Sequence, residues 1–226
     1  MFEHMVKLRN IIRLPIVVLL FNLIVTGTLS ATSKNKNTKS VLFPIEYIIA
    51  DRILGNDSAK ITIIEYASMT CPHCAEFHTG TFQILKKEYI KTGKVKFIYR
   101  DYPLDRLALA AAMMARCAPK ERYYPILDII FRTQENWAKQ ADPAEALAQI
   151  GLLSGISKNT YNACVANKKI YEGVMKIRSD GGEKYNIQST PTIIINGKPI
   201  KGHLTAEKLR LILNSELTNL KIKKRQ

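Results

Sequence analysis

Cysteine and histidine are scarce in this chain, with four of each in 226 residues. Only Cys71 and Cys74 stand at the short spacing that holds a metal or exchanges disulfides, and a closed structural zinc site wants a second such pair. His4 and His203 supply none, so a metal held by Cys71, Cys74, His78 and His73 is the weaker reading of that motif, and no metal is assigned. Acidic residues are also few: 19 Asp and Glu face 34 Lys and Arg, a net charge of +15. That balance suits an anionic partner. The basic residues are scattered, however, and no stacking motif accompanies them, which places nucleic acid last. Long apolar runs are missing too. The run Leu14 to Val25, interrupted by Pro15 and Asn22, falls short of the ~20 residues needed to cross a bilayer.

That run has a different meaning in its setting. Lys7, Arg9 and Arg13 precede it, and Thr26 to Ala31, uncharged and, apart from Leu29, small, follow. The layout is that of a secretory signal peptide over residues 1–31, cut after Ala31, with an uncleaved anchor as the competing reading. The exported part stays basic and keeps all four cysteines. An oxidising compartment reads an even count as disulfides first. Hydrophobic side chains make up 46% of the chain, enough for a sizeable core, so disorder throughout is excluded.

Residues 32–46 form a linker and N-terminal arm, polar as far as Ser40 and apolar from Val41, and Val41–Leu54 should end in a strand or extended arm before the turn signal Gly55-Asn56-Asp57-Ser58. Ile61 to Tyr66 reads as a strand buried on both faces, and Val95 to Tyr99 as a second. Between them a helix is expected from Pro72 to the Thr92-Gly93 stop, which makes a βαβ unit with a parallel pair. Residues 105–183 show helical segments at Leu107–Ala118, Ile126–Trp137, Ala144–Leu153 and Tyr161–Lys169, with Asp142-Pro143 as a helix entry. Thr192 to Ile195, Asn196-Gly197 and Pro199-Ile200 read as a hairpin, and Thr205 to Leu217 as a last helix. A basic tail, 218–226, is expected to be solvated. The fold class is thus α/β: a first part at 47–104, an inserted helical domain at 105–183, and a second part at 184–217.

Cys71-Pro72-His73-Cys74 opens the helix after the buried strand, where Cys-x-x-Cys is a redox signature. Cys71 falls at the N-cap, facing unpaired N–H groups and the positive helix end, both of which favour a thiolate. Pro72 suits the first helical position, and His73 offers a further partner to the anion. Cys74 lies a turn further in. Cys71 is therefore the attacking sulfur and Cys74 the resolving one. A thiolate held about five units below a free thiol would make the disulfide more oxidising by roughly 150 mV. The two sulfurs carry the electrons, so no cofactor is called for.

The ordered set Gly55-Asn56-Asp57-Ser58-Ala59, Ile64-Glu65-Tyr66, Cys71-Pro72-His73-Cys74, a long helical insertion and Thr190-Pro191 resembles the thioredoxin-fold disulfide oxidoreductases of the DsbA type, over Tyr47 to Leu217. The resemblance implies a thioredoxin fold with a large helical insert. It implies a cis bond at Thr190-Pro191 against the dithiol, pairing a client as an added strand, although an X-Pro bond is ordinarily trans. It also implies that Glu65 is a buried acid beneath the dithiol that relays the proton of Cys74. Implied partners are reduced or unfolded exported proteins and a quinone-linked thiol oxidase of the membrane; the implied compartment is the periplasm. Pro-His between the cysteines is like the oxidases, while threonine before the cis proline also occurs in isomerases. Cys117 and Cys164 are expected to form a structural bridge worth ~4 kcal/mol. The alternatives of another class are the metal site above and a chaperone that binds unfolded chains without turnover.

Overall fold

The computed structural model describes residues 42–201 and 204–223. The signal-peptide and spacer expectations, and His203, lie outside the described residues. The order is α1 (Ile45–Ile49), β1 (Ile53–Gly55), β2 (Ile61–Ala67), α2 (Pro72–Thr79), α3 (Thr81–Leu85), a π-helical turn (Lys86–Ile90) and β3 (Val95–Asp101). Six helices follow: α4 (Arg106–Arg116), α5 (Lys120–Arg132), α6 (Gln134–Ala138), α7 (Pro143–Leu153), α8 (Lys158–Val165) and α9 (Lys168–Tyr185). The hairpin β4 (Thr192–Ile195) and β5 (Lys198–Lys201) leads to α10 (Ala206–Lys223).

The sheet order is β1-β3-β2-β4-β5, with β2 and β3 parallel and the other neighbours antiparallel. Side chains alternate across β2, so Ile61 and Ile63 face the main core with Phe77 and Phe97, while Ile64 and Tyr66 face a second cluster with Ile187 and Ile194. Glu65 shares the parity of Ile63. A central strand therefore delivers a carboxylate into the main core beneath α2. The hairpin turn has Asn196 at φ 47° and Gly197 at φ 82°, the left-handed pair of a type I′ turn. Asn196 also accepts from Thr62 N at 2.9 Å and donates to Glu216 at 2.8 Å, which locks the hairpin to β2 and α10.

Several expectations need correction. The single helix from Pro72 breaks at Gly80, whose φ −110° and ψ −96° end the α2 ladder, and the chain continues as α3 and the π-helical turn. The Ile126–Trp137 segment is divided at Thr133 between two helices, α5, which starts at Lys120 and runs through Pro125, and α6. The Tyr161–Lys169 segment is two helices, divided where the Asn167 side chain caps α9 through Lys169 N and Ile170 N. The expected tail is helical as far as Lys223. The inserted helices also do not carry a core of their own: one buried cluster runs from Ile63 and Phe97 through Met114, Ile130 and Leu147. Ahead of the sheet, the expected arm contains a short helix, α1, before β1.

Candidate active site

β2 ends at Ala67, and Ser68 to Thr70 carry the chain to Cys71, the N-cap of α2. Pro72 occupies the first turn, where its missing N–H leaves no bond unmade. Cys71 and Cys74 are unbonded and buried, Cys71 with 7% exposure and Cys74 with none. Opposite them the Thr190–Pro191 peptide is cis, and Cys71 Sγ donates to Thr190 O at 3.4 Å. The Thr190 hydroxyl is buried without a hydrogen-bond partner.

The two sulfurs differ sharply in proton affinity. The Cys71 thiol is lowered from 9.0 to about 5, first by a hydrogen bond from the Cys74 thiol, against the opposing effect of burial. The Thr190 side chain and the backbone N–H groups of Cys74 and His73 add to the lowering. The helix start acts through those N–H groups. His73 contributes its backbone rather than its ring: the exposed imidazole has Nδ1 3.6 Å from Glu76. Cys74 moves the other way, far above an ordinary thiol, chiefly through burial, then through Cys71 and the charge of Glu65.

Glu65 has no exposure, and its Oε2 meets His78 Nε2 at 2.8 Å, while Oε1 is buried without a partner. His78 stacks on Phe131 with ring centroids 4.0 Å apart. His78 thus belongs to Glu65, and among the described residues no group of three or more His, Cys, Asp or Glu is arranged to hold a metal ion. From sequence His78 stands only as a candidate metal ligand, and its pairing with Glu65 is not marked there. Nor is Gln134, whose buried side chain reaches the backbone of Met69 and Cys71 from the start of α6; no local pattern marks a contact 63 residues away. Cys117 and Cys164 are disulfide-bonded and remote in sequence from these groups, joining the C-cap of α4 to α8.

The geometry has clear relatives. The thioredoxin family model matches residues 48–215. A putative protein-disulfide oxidoreductase of Rickettsia typhi is 33% identical over 175 residues, 77% of this chain and 64% of the relative. The chain spans under two thirds of the length of the Rickettsia relatives it matches. Disulfide bond formation protein D of Bacillus subtilis is 27% identical over 73% of this chain and 76% of its own. The crystal structure of Wolbachia pipientis alpha-DsbA1 superimposes with a TM-score of 0.71 at 30% identity, covering 78% of this chain and 94% of that one. A thioredoxin fold with a helical insertion, a Cys-x-x-Cys at the head of a helix and a cis proline facing it all agree, and the chain belongs to the thioredoxin family in its DsbA branch.

Proposed function

We propose that this chain is a thiol-disulfide oxidoreductase that passes a disulfide from Cys71–Cys74 to reduced proteins outside the cytoplasm. The single observation that carries the reading is the placement of Cys71 at the N-cap of α2 against Thr190 with Cys74 fully buried behind it, which draws Cys71 down to about 5 and pushes Cys74 far up. In the oxidised enzyme a client thiolate attacks Cys71 Sγ, and the Cys71–Cys74 bond breaks as the mixed disulfide forms. Cys74 leaves with the bonding electrons and takes up a proton. A second client thiolate then attacks the client's sulfur in the mixed disulfide, and Cys71 departs as a thiolate. Two electrons have moved from the client to the dithiol. A leaving group with a low pKa departs readily, so Cys71 favours this direction.

Cys74 requires a proton at the first step, and Glu65 supports that transfer from below. Its buried carboxylate raises the proton affinity of Cys74, and its unpartnered Oε1 has an accepting position open. Thr190 and Pro191, in the segment ahead of β4, offer the backbone on which an extended client segment would pair, since both edges of β4 itself are taken by β2 and β5. Residues 1–31 act as the export signal in this reading, and the compartment is the periplasm. Among the described residues no helix is long and apolar enough to cross a membrane. Reoxidation falls to a quinone-linked thiol oxidase in the membrane, since the dithiol must return its electrons to an acceptor. The domain assignment keeps 47–104 and 184–217 as the catalytic fold and 105–183 as its helical insertion.

The test is a titration of Cys71 by thiolate absorbance together with equilibrium against glutathione. A midpoint near 5 and a potential well above thioredoxin's ~−270 mV support an oxidase. A midpoint like that of a free peptide thiol overturns it. Refolding of a scrambled substrate separates an isomerase from an oxidase, and a chaperone would be indifferent to Cys71→Ser.

A further inference from the structure

The turn that presents Cys71 is braced from outside the thioredoxin fold. Gln134, the first residue of α6, is buried, and its Nε2 donates to Met69 O at 2.9 Å and to Cys71 O at 3.0 Å. Cys71 O also accepts from Cys74 N at 3.1 Å and Ala75 N at 3.2 Å, the first bonds of α2. Three donors therefore converge on one carbonyl. One of them comes from the inserted helices. The other side of the turn is tied differently, through Thr70 Oγ1 to Asp105 Oδ2 at 2.6 Å on the exposed start of α4.

We propose that Gln134 is a positioning residue of the dithiol, holding the Met69–Cys71 turn so that the first N–H groups of α2 stay aimed at the Cys71 sulfur. The inference rests on the thiol-disulfide reading above. Its physical basis is geometric. A carboxamide offers two N–H bonds in a fixed plane and here spends them on two carbonyls of buried residues, Met69 and Cys71. Without it Met69 O loses this donor and Cys71 O is left with the two helical N–H groups, so the tie between the two carbonyls is gone and the turn that carries Cys71 relaxes. The backbone N–H groups of His73 and Cys74 stabilise the thiolate only while they point at it. Gln134 touches neither sulfur, so its influence passes through the peptide carbonyl.

Two variants probe it. Gln134→Met keeps length and removes the donors; Gln134→Glu keeps shape and turns a donor into an acceptor facing two carbonyls. Trp137→Phe is the control, because Trp137 lies on α6 with Gln134 and the change removes its Nε1 bond to Ile130 O on α5 without reaching the turn. In the reduced full chain, both Gln134 variants should raise the absorbance midpoint of Cys71 by about one unit. The equilibrium constant with glutathione should shift about tenfold toward the oxidised protein, some 30 mV. Trp137→Phe should leave both within twofold even where its thermal midpoint falls as far. The proposal is overturned if either folded Gln134 variant titrates like the parent, or if Trp137→Phe moves the midpoint equally. A parent protein whose Cys71 titrates like a free thiol would instead sink the functional reading, so the two failures are distinct.

Discussion

A single threonine gives the sharpest residue-scale test. The Thr190 hydroxyl is buried without a partner beside a sulfur whose proton affinity it lowers. Once Cys71 ionises, the thiol no longer donates to Thr190 O, and the hydroxyl becomes a donor facing an anion. Thr190→Val keeps the shape and deletes that donor. A hydrogen bond to a charged group is worth about 1.5–3 kcal/mol, so the Cys71 midpoint should rise by about one to two units, read by absorbance; an unchanged midpoint would remove Thr190 from the account. The pH dependence of the reduced protein has a definite sign. Because the folded Cys71 pKa is depressed from 9.0 to about 5, ionisation stabilises the reduced fold fully above about 9, and this is lost as pH falls through 5. Cys74, raised by burial, contributes nothing in that window and opposes folding only above it. Urea unfolding of the reduced protein should therefore show stability over the oxidised form growing from pH 5 upward, and a flat profile would contradict the assignment.

At the scale of elements, the same sheet needs cover on its second face, and α9 provides it at very short range. A Cβ on Gly181 would sit 2.3 Å from Tyr66 Cε1, and one on Gly173 would sit 2.3 Å from Ile49 Cγ2. Gly181→Ala must displace a fully buried ring on the central strand. The expected loss is about 1–3 kcal/mol in urea unfolding, with the Cys71 midpoint unchanged because Tyr66 points away from the dithiol face. These glycines also explain what sequence could and could not say. Ile61-Thr62-Ile63-Ile64 and Asn196-Gly197 announce a strand and a turn because the information is local: β-branching in one, left-handed backbone in the other. The Cys71-Pro72 helix entry is legible for the same reason. Helix α9 was not legible, since Gly173, Gly181 and Gly182 lower its propensity and it is held by packing on other elements, Ile49 and Tyr66 among them. Glu65–His78 and Gln134–Cys71 are hidden likewise. Each is a pair of ordinary residues whose meaning exists only once β2, α2 and α6 are stacked.

Across the whole molecule, the ties that hold the helical insertion serve stability and are separate from the groups that set the chemistry. Arg116, without exposure, pairs with Asp101 at the end of β3 and donates to Ile48 O at 3.2 Å and Ala50 O at 3.3 Å. It thereby binds α4 to the sheet and to the C-terminal end of α1. Removing the guanidinium strands a buried carboxylate, so Arg116→Met should cost about 3–5 kcal/mol, measured by denaturant unfolding. The next residue, Cys117, continues this brace as a disulfide to Cys164 on α8. Cross-linking across 47 residues restricts the unfolded chain by about 4 kcal/mol in the entropic account. Yet none of the groups that set the acidity of Cys71 belongs to that bridge: they are Cys74, Thr190 and the first N–H groups of α2. The Cys117→Ala, Cys164→Ala double variant should therefore lose several degrees of thermal stability while its Cys71 midpoint stays within about 0.3 units of the parent, a difference of twofold in thiolate. A larger shift would mean that the bridge tensions the α4–α6 region onto the Met69–Cys71 turn. In that case it would have to act on Cys71 through the same carbonyl that Gln134 holds, and the Gln134→Met and double cysteine variants combined would shift the midpoint by less than the sum of the two.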